Sequence, residues 1–171
     1  MNFSERKGST ESPRLVDGTE RVSELKTCRI TKSSFIYSSI QRVFDACDNP
    51  KALVIYLPSV INVVVSRQTH SVGDKFTVTW SFLGAHFDEC FTYISYQKPL
   101  RIRSEFQGDF VGFMEIKLAS EGDGVKAIFD CRYEMPSNIL GRAFDKLLAR
   151  RRLERDAERF LQNLKIVCEA T

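Results

Sequence analysis

The sequence predicts an α+β fold: a curved antiparallel sheet of about seven strands around one long C-terminal helix, with two short helices after strand 1. Three observations predict it. Apolar and polar residues alternate through the middle of the chain, most clearly as Phe76, Val78, Trp80 and Phe82 against Thr77, Thr79 and Ser81. Turn residues separate these runs at short intervals, so successive strands pair as a meander. The period then lengthens to three and four: Leu140, Ala143, Phe144, Leu147, Leu148, Ala157, Phe160, Leu161, Leu164, Val167 and Cys168 form the stripe of an amphipathic helix.

Residues Met1–Glu24 are rich in Ser, Gly, Glu and Arg and poor in large apolar groups. They cannot offset the entropy of ordering and are expected to be a flexible tail, which leaves residues 25–171 as the domain. Leu25–Phe35 alternates weakly and reads as strand 1. Ser38 stands three residues before Gln41 in capping-box spacing, and Ile40, Val43, Phe44 and Cys47 follow at helical intervals. A second short helix, Lys51–Tyr56, stops at Pro58. Strands are expected at Val60–Gln68, Lys75–Phe82, Ala85–Gln97, Leu100–Gln107, Phe110–Ala119 and Val125–Tyr133, with turns at Gly73, Gly84, Gly108 and Gly122. Ser137 or Asn138 caps the last helix, which at roughly thirty residues is about 45 Å long. Its polar face carries Arg142, Lys146, Arg150, Glu154 and Glu158, and Asp156 can pair with Arg152 or Arg159.

Bulk properties narrow the function. The chain has 171 residues, enough for one domain with a sizeable core. Thirteen Phe, five Tyr and one Trp give it much ring volume to place. The net charge of +3 is too small to argue for nucleic acid, and none is expected. The Arg150, Arg151, Arg152, Arg155 and Arg159 cluster is interleaved with Glu154, Asp156 and Glu158, the pattern of a solvated helix face. Five dispersed cysteines without a CxxC pair fit free thiols. With no apolar leader segment, that points to the cytoplasm. No run of about 18 apolar residues exists. His70 and His86 lack the spacing of a metal site, no phosphate loop is present, and neither metal nor cofactor is expected.

A sheet of long strands curled around one helix keeps part of its concave face beyond the helix's reach. Aromatic residues there line a pocket instead of filling it. The ligand-binding candidates are Phe76, Val78, Trp80, Phe82, Phe87, Phe91, Tyr93, Phe129, Tyr133 and Phe144. In the strand 85–97, His86, Asp88 and Cys90 share one face, while Phe87, Glu89, Phe91 and Tyr93 share the other. If the first set faces inward, His86 and Asp88 form a proton-shuttling pair. If the bulkier second set does, Glu89 becomes a carboxyl among rings with a raised pKa, unless it pairs with Arg103 across strands. Tyr93 and Tyr133 could each orient a ligand carbonyl. Glu89, His86 and Tyr93 are the acid–base candidates. Asp130 and Arg132 are expected to be solvated.

Several short motifs occur in a telling order: Val43-Phe44-Asp45 with Asp48-Asn49-Pro50, then Val72-Gly73-Asp74, Pro99-Leu100-Arg101 and Leu164-Lys165. In them the chain from Thr27 to Glu169 resembles the START-like (SRPBCC) superfamily of helix-grip proteins, in its polyketide cyclase/dehydrase type. One departure is Tyr56-Leu57-Pro58, where many relatives carry Trp-Pro. The resemblance implies an internal cavity for a lipid-, quinone-, hormone- or polyketide-like molecule and no universal catalytic residue. It implies a small hydrophobic molecule as partner and leaves a homodimer open. The expected function is binding of a small apolar or aromatic molecule. The alternatives are a cyclase/dehydratase-type enzyme of natural-product biosynthesis and a quinone-binding or interaction module.

Overall fold

Concentrating apolar side chains on one face of the strands forces that face away from water, and a twisted sheet achieves this by curling over a helix. The computed structural model describes residues 27–66, 71–82, 84–134 and 146–170, without the side chains of Phe82 and residues 146–149. In chain order the elements are β1 (Thr27–Ile36), α1 (Ile40–Cys47), a 3-10 turn (Pro50–Ala52), α2 (Leu53–Tyr56), β2 (Val60–Val65), β3 (Lys75–Phe82), β4 (Ala85–Gln97), β5 (Arg101–Gly108), β6 (Val111–Glu121), β7 (Gly124–Glu134) and α3 (Lys146–Glu169). The seven strands form one antiparallel sheet in the order β1-β7-β6-β5-β4-β3-β2. This is the helix-grip arrangement. The expected tail, the Ser137 or Asn138 cap and Phe144 lie outside the described residues.

Register shifts between Val60 and Asn62 in β2 and between Tyr93 and Ser95 in β4 add local twist and help the sheet to curl. Gly122, at φ 59°, makes the tight β6–β7 turn, so pairing runs out to Glu121 opposite Gly124. Phe110, expected to open a strand, sits in the β5–β6 turn instead.

The short helices are set by side-chain caps. The N-cap of α1 is Ser39, one residue later than the spacing suggested: its backbone is extended and its hydroxyl accepts from Arg42 N at 3.3 Å. The expected helix Lys51–Tyr56 is in fact a 3-10 turn opened by Pro50, with Asn49 accepting from Lys51 N, followed by one turn of α-helix.

Helix α3 buries Ala157, Phe160, Leu161, Leu164 and Cys168. Phe160 meets Tyr56 edge-on at 5.7 Å and Phe129 at 5.5 Å. Val167 leaves the expected stripe and is 41% exposed, because Leu164 and Cys168 already occupy the buried side of that turn. Polar contacts fix the helix along its length, among them Asn163 Nδ2 donating to Tyr56 O at 3.0 Å and Lys165 Nζ donating to Phe35 O at 2.7 Å. Arg150 pairs with Glu154 and Arg152 with Asp156, one turn apart.

The convex face is polar but not uniformly solvated. Asp130, expected to be solvated, is buried: Arg29 donates to it twice, at 2.9 and 2.8 Å, and Thr31 once, at 3.1 Å. The Arg29 hydrogen bonds hold this carboxyl below the usual carboxylate range. Arg132 is half-buried and, with Arg103, stacks on Phe113, at 5.3 and 4.1 Å from the ring centre.

Candidate functional site

Strand alternation and register decide which residues reach the concave face. Phe87 lies opposite Trp80, Glu89 opposite Val78 and Gly108, and Phe91 opposite Phe76 and Phe106. Phe87, Glu89, Phe91 and Tyr93 therefore face inward. His86, Asp88 and Cys90 are exposed on the outer face, where Asp88 accepts from Thr79 Oγ1 at 2.7 Å. The His86–Asp88 shuttle is overturned as a cavity device, because the bulkier set takes the inside.

Between this part of the sheet and α3 lies a cavity of about 120 Å³. Its rings are Trp80, Phe87, Phe91, Phe106, Phe110, Phe129 and Tyr133, and α3 contributes Arg152, Leu153, Asp156 and Ala157. The rings brace one another: Phe91 and Phe106 stand 5.1 Å apart, Phe87 and Phe110 5.7 Å, and Phe110 and Tyr133 6.3 Å. Two glycines allow close approach of the neighbouring strands, whose Asp88 and Arg132 carbonyl oxygens a Cβ would strike. A Cβ at Gly108 would stand 2.7 Å from Glu89 Oε2, and one at Gly112 would stand 2.8 Å from Phe106 Cζ.

Glu89 is 2% exposed. Its Oε1 accepts from Phe110 N at 3.0 Å, while Oε2 has no hydrogen-bond partner. Burial pushes its pKa up to about 7, against the opposing pull of the Phe110 amide and with help from Asp109 and Asp88. Near neutrality the carboxyl can hold or release a proton. It does not pair with Arg103, which lies on the convex face against Phe113. The Tyr133 hydroxyl is raised by burial, with the Cys28 thiol beside it. Across the cavity, Asp156 is buried, accepts from Ser59 Oγ at 2.8 Å and stands 3.4 Å from Arg152 Nε.

Of the expected site residues, Trp80, Phe87, Glu89, Phe91, Phe129 and Tyr133 share this cavity. Phe76 and Tyr93 line a separate void of about 20 Å³ with Cys47, Pro50 and Leu53. There Tyr93 packs on Phe76 at 5.3 Å and Tyr96 at 6.1 Å, and burial raises its hydroxyl well above the usual range. Val78 is wholly buried and lines neither space. The Phe82 side chain and Phe144 lie outside the described residues. Sequence reasoning missed Phe106, Phe110, Arg152 and Asp156. Phe106 was detectable, since Ile102, Ser104 and Phe106 alternate with polar residues in β5. Asp156 was not, because an acid flanked by arginines on a helix reads as surface.

Among the described residues no group of three or more His, Cys, Asp or Glu could hold a metal ion, and no helix is long and apolar enough to cross a membrane. A family model for "Polyketide cyclase / dehydrase and lipid transport" matches residues 27–169. Among solved structures, a protein from Thermus thermophilus superposes with TM-score 0.69 at 17% identity, covering 84% of this chain and 100% of that one. A START superfamily protein from Mycobacterium smegmatis gives 0.67 at 12%, covering 82% and 97%. The di-domain ARO/CYC protein BexL from the BE-7585A biosynthetic pathway gives 0.67 at 16%, covering 85% of this chain and 51% of that one. No curated protein matches. At these identities the structures speak for the fold, while the family model spans every element from β1 to the end of α3. The family model thus shows that the chain belongs to the polyketide cyclase/dehydrase and lipid-transport family, and the superposed structures share its fold.

Proposed function

We propose that the protein binds a small apolar or aromatic molecule in the cavity between the sheet and α3. The observation that carries this reading is the ring-walled space of about 120 Å³ itself. Packed interiors rarely leave such room, and an apolar cavity of about 150 Å³ is enough to take up benzene.

Trp80 is the only tryptophan in the chain and stands in the cavity wall, so its fluorescence reports occupancy directly. Titration with benzene derivatives is expected to give saturable change. Ala157→Phe, which places a ring in the same space, is expected to abolish that change without lowering the melting temperature. Undiminished binding to Ala157→Phe would place the ligand elsewhere and overturn the reading.

The placement of Glu89 favours a second reading, acid–base chemistry of the cyclase or dehydratase kind on a bound neutral substrate. A carboxyl poised near pH 7 inside an apolar box is suited to giving and taking protons. Glu89→Gln should then remove turnover yet leave the binding of neutral ring compounds within about twofold, since Gln can keep the acceptor for Phe110 N. Unchanged turnover would sink this version.

A further inference from the structure

The ligand's chemical class can be read from what the cavity leaves unsatisfied, granted the binding reading above. Four observations bear on it. Glu89 Oε2 is a buried acceptor without a hydrogen bond, while Oε1 is taken by Phe110 N. The faces around it are aromatic, with Phe87, Phe91, Phe106, Phe110 and Trp80 in the same lining. Such ring faces carry negative potential and attract cations. Among the described lining residues the acids are Glu89 and Asp156 and the only cation is Arg152, which is tied to Asp156. Asp156 Oδ1 and the Tyr133 hydroxyl also lack a hydrogen bond, although Arg152 Nε is 3.4 Å from the former. A ligand carboxylate or phosphate would therefore meet an acidic wall with no free counter-charge.

We propose that the cavity selects an amine carried on a single aromatic ring, bound as its ammonium ion with the nitrogen donating to Glu89 Oε2. The ring fills the apolar part of a space that holds about one ring. The ammonium supplies the missing donor and lies against the aromatic faces. A neutral alcohol would satisfy Oε2 but gain nothing from the ring potential.

The pH dependence follows from the groups around Glu89. Asp88 and Asp109 lie behind it, Asp156 with Arg152 faces it from α3, and Tyr133 from β7, with Arg150 nearby held by Glu154. Glu89 titrates near neutrality in the empty protein, and the ammonium binds its ionised form. Affinity for an amine should rise with pH through about 7 and level off until the amine itself loses its proton.

The test is Trp80 fluorescence with three isosteric probes, benzylamine, benzyl alcohol and benzoate, from pH 5.5 to 8. Benzylamine is expected to bind tightest at pH 8 and at least about tenfold more weakly at pH 5.5. Benzyl alcohol should be flat with pH, and benzoate weakest throughout. In Glu89→Gln the amine should lose its advantage over the alcohol and its pH dependence. Equal or tighter binding of the alcohol or of benzoate at pH 8 would overturn the assignment, as would an amine preference that survives in Glu89→Gln. The wild-type comparison stands even if the variant does not fold. Silence from all three probes would instead remove the cavity-binding reading and this one with it.

Discussion

A carboxyl sits inside a ring-lined space only where its neighbours leave room for it, and Gly108 does so for Glu89. Its missing side chain is what the Glu89 carboxyl rests above, and a Cβ there would also collide with the Asp88 carbonyl oxygen. Gly108→Ala is therefore expected to push the carboxyl off the Phe110 amide and force β4 and β5 apart, costing about 1–3 kcal/mol, as read from urea unfolding. A loss below about 0.5 kcal/mol would show that the strands absorb a methyl group freely. Glu89 itself was legible in the sequence as an acid alternating among Phe87, Phe91 and Tyr93. Its partner was not. An Arg across the sheet is the obvious match for a buried acid, but Glu89 stands opposite Gly108, and Arg103 lies farther along β5 on the outer face. Gly108 read only as a turn residue, because a close approach between paired strands leaves no local mark on the chain.

At the scale of elements, the sheet order follows from short turns and alternation, and the sequence carries both. Segment ends are harder: Ser38 and Ser39 are both competent caps, and only the extended backbone at Ser39 with its bond to Arg42 N chooses between them. Ser39→Ala should cost about 1 kcal/mol, and Ser38→Ala close to nothing, measured side by side by thermal unfolding. The energetic weight lies in α3, where Phe160 is 1% exposed between Tyr56 and Phe129. Phe160→Ala is expected to destabilise the protein by about 3–5 kcal/mol, against less than about 0.5 kcal/mol for the exposed Arg159→Ala. Comparable losses at both positions would mean that the helix does not grip the sheet through its apolar stripe. Tyr56 ties the short helix to α3: its ring is buried edge-on to Phe160 and its carbonyl accepts from Asn163.

For the whole molecule, stability against pH sums carboxyls pulled in opposite directions. Asp130, held by Arg29, has a lowered pKa, so its stabilisation is present above the ordinary carboxylate range and is lost as pH falls through the folded value. Glu89 runs the other way. Its folded pKa is raised from 4.5 to about 7, so the native state binds this proton more tightly than the unfolded chain does. Stability from this residue is complete below about pH 4.5, declines as pH rises towards 7, and stays at its lower level above. The decline is at most about 3 kcal/mol at 1.36 kcal/mol per pH unit, less whatever solvent screening through the cavity opening removes, and still a large share of a domain's net stability. Glu89→Gln, which cannot ionise, should remove it: the variant gains on the wild type from pH 5 to pH 8, while the acid limb set by Asp130 is unchanged. Urea unfolding at half-unit steps of pH would show the gain. A difference between the two proteins that stays constant across that range would mean that Glu89 is not strained by burial.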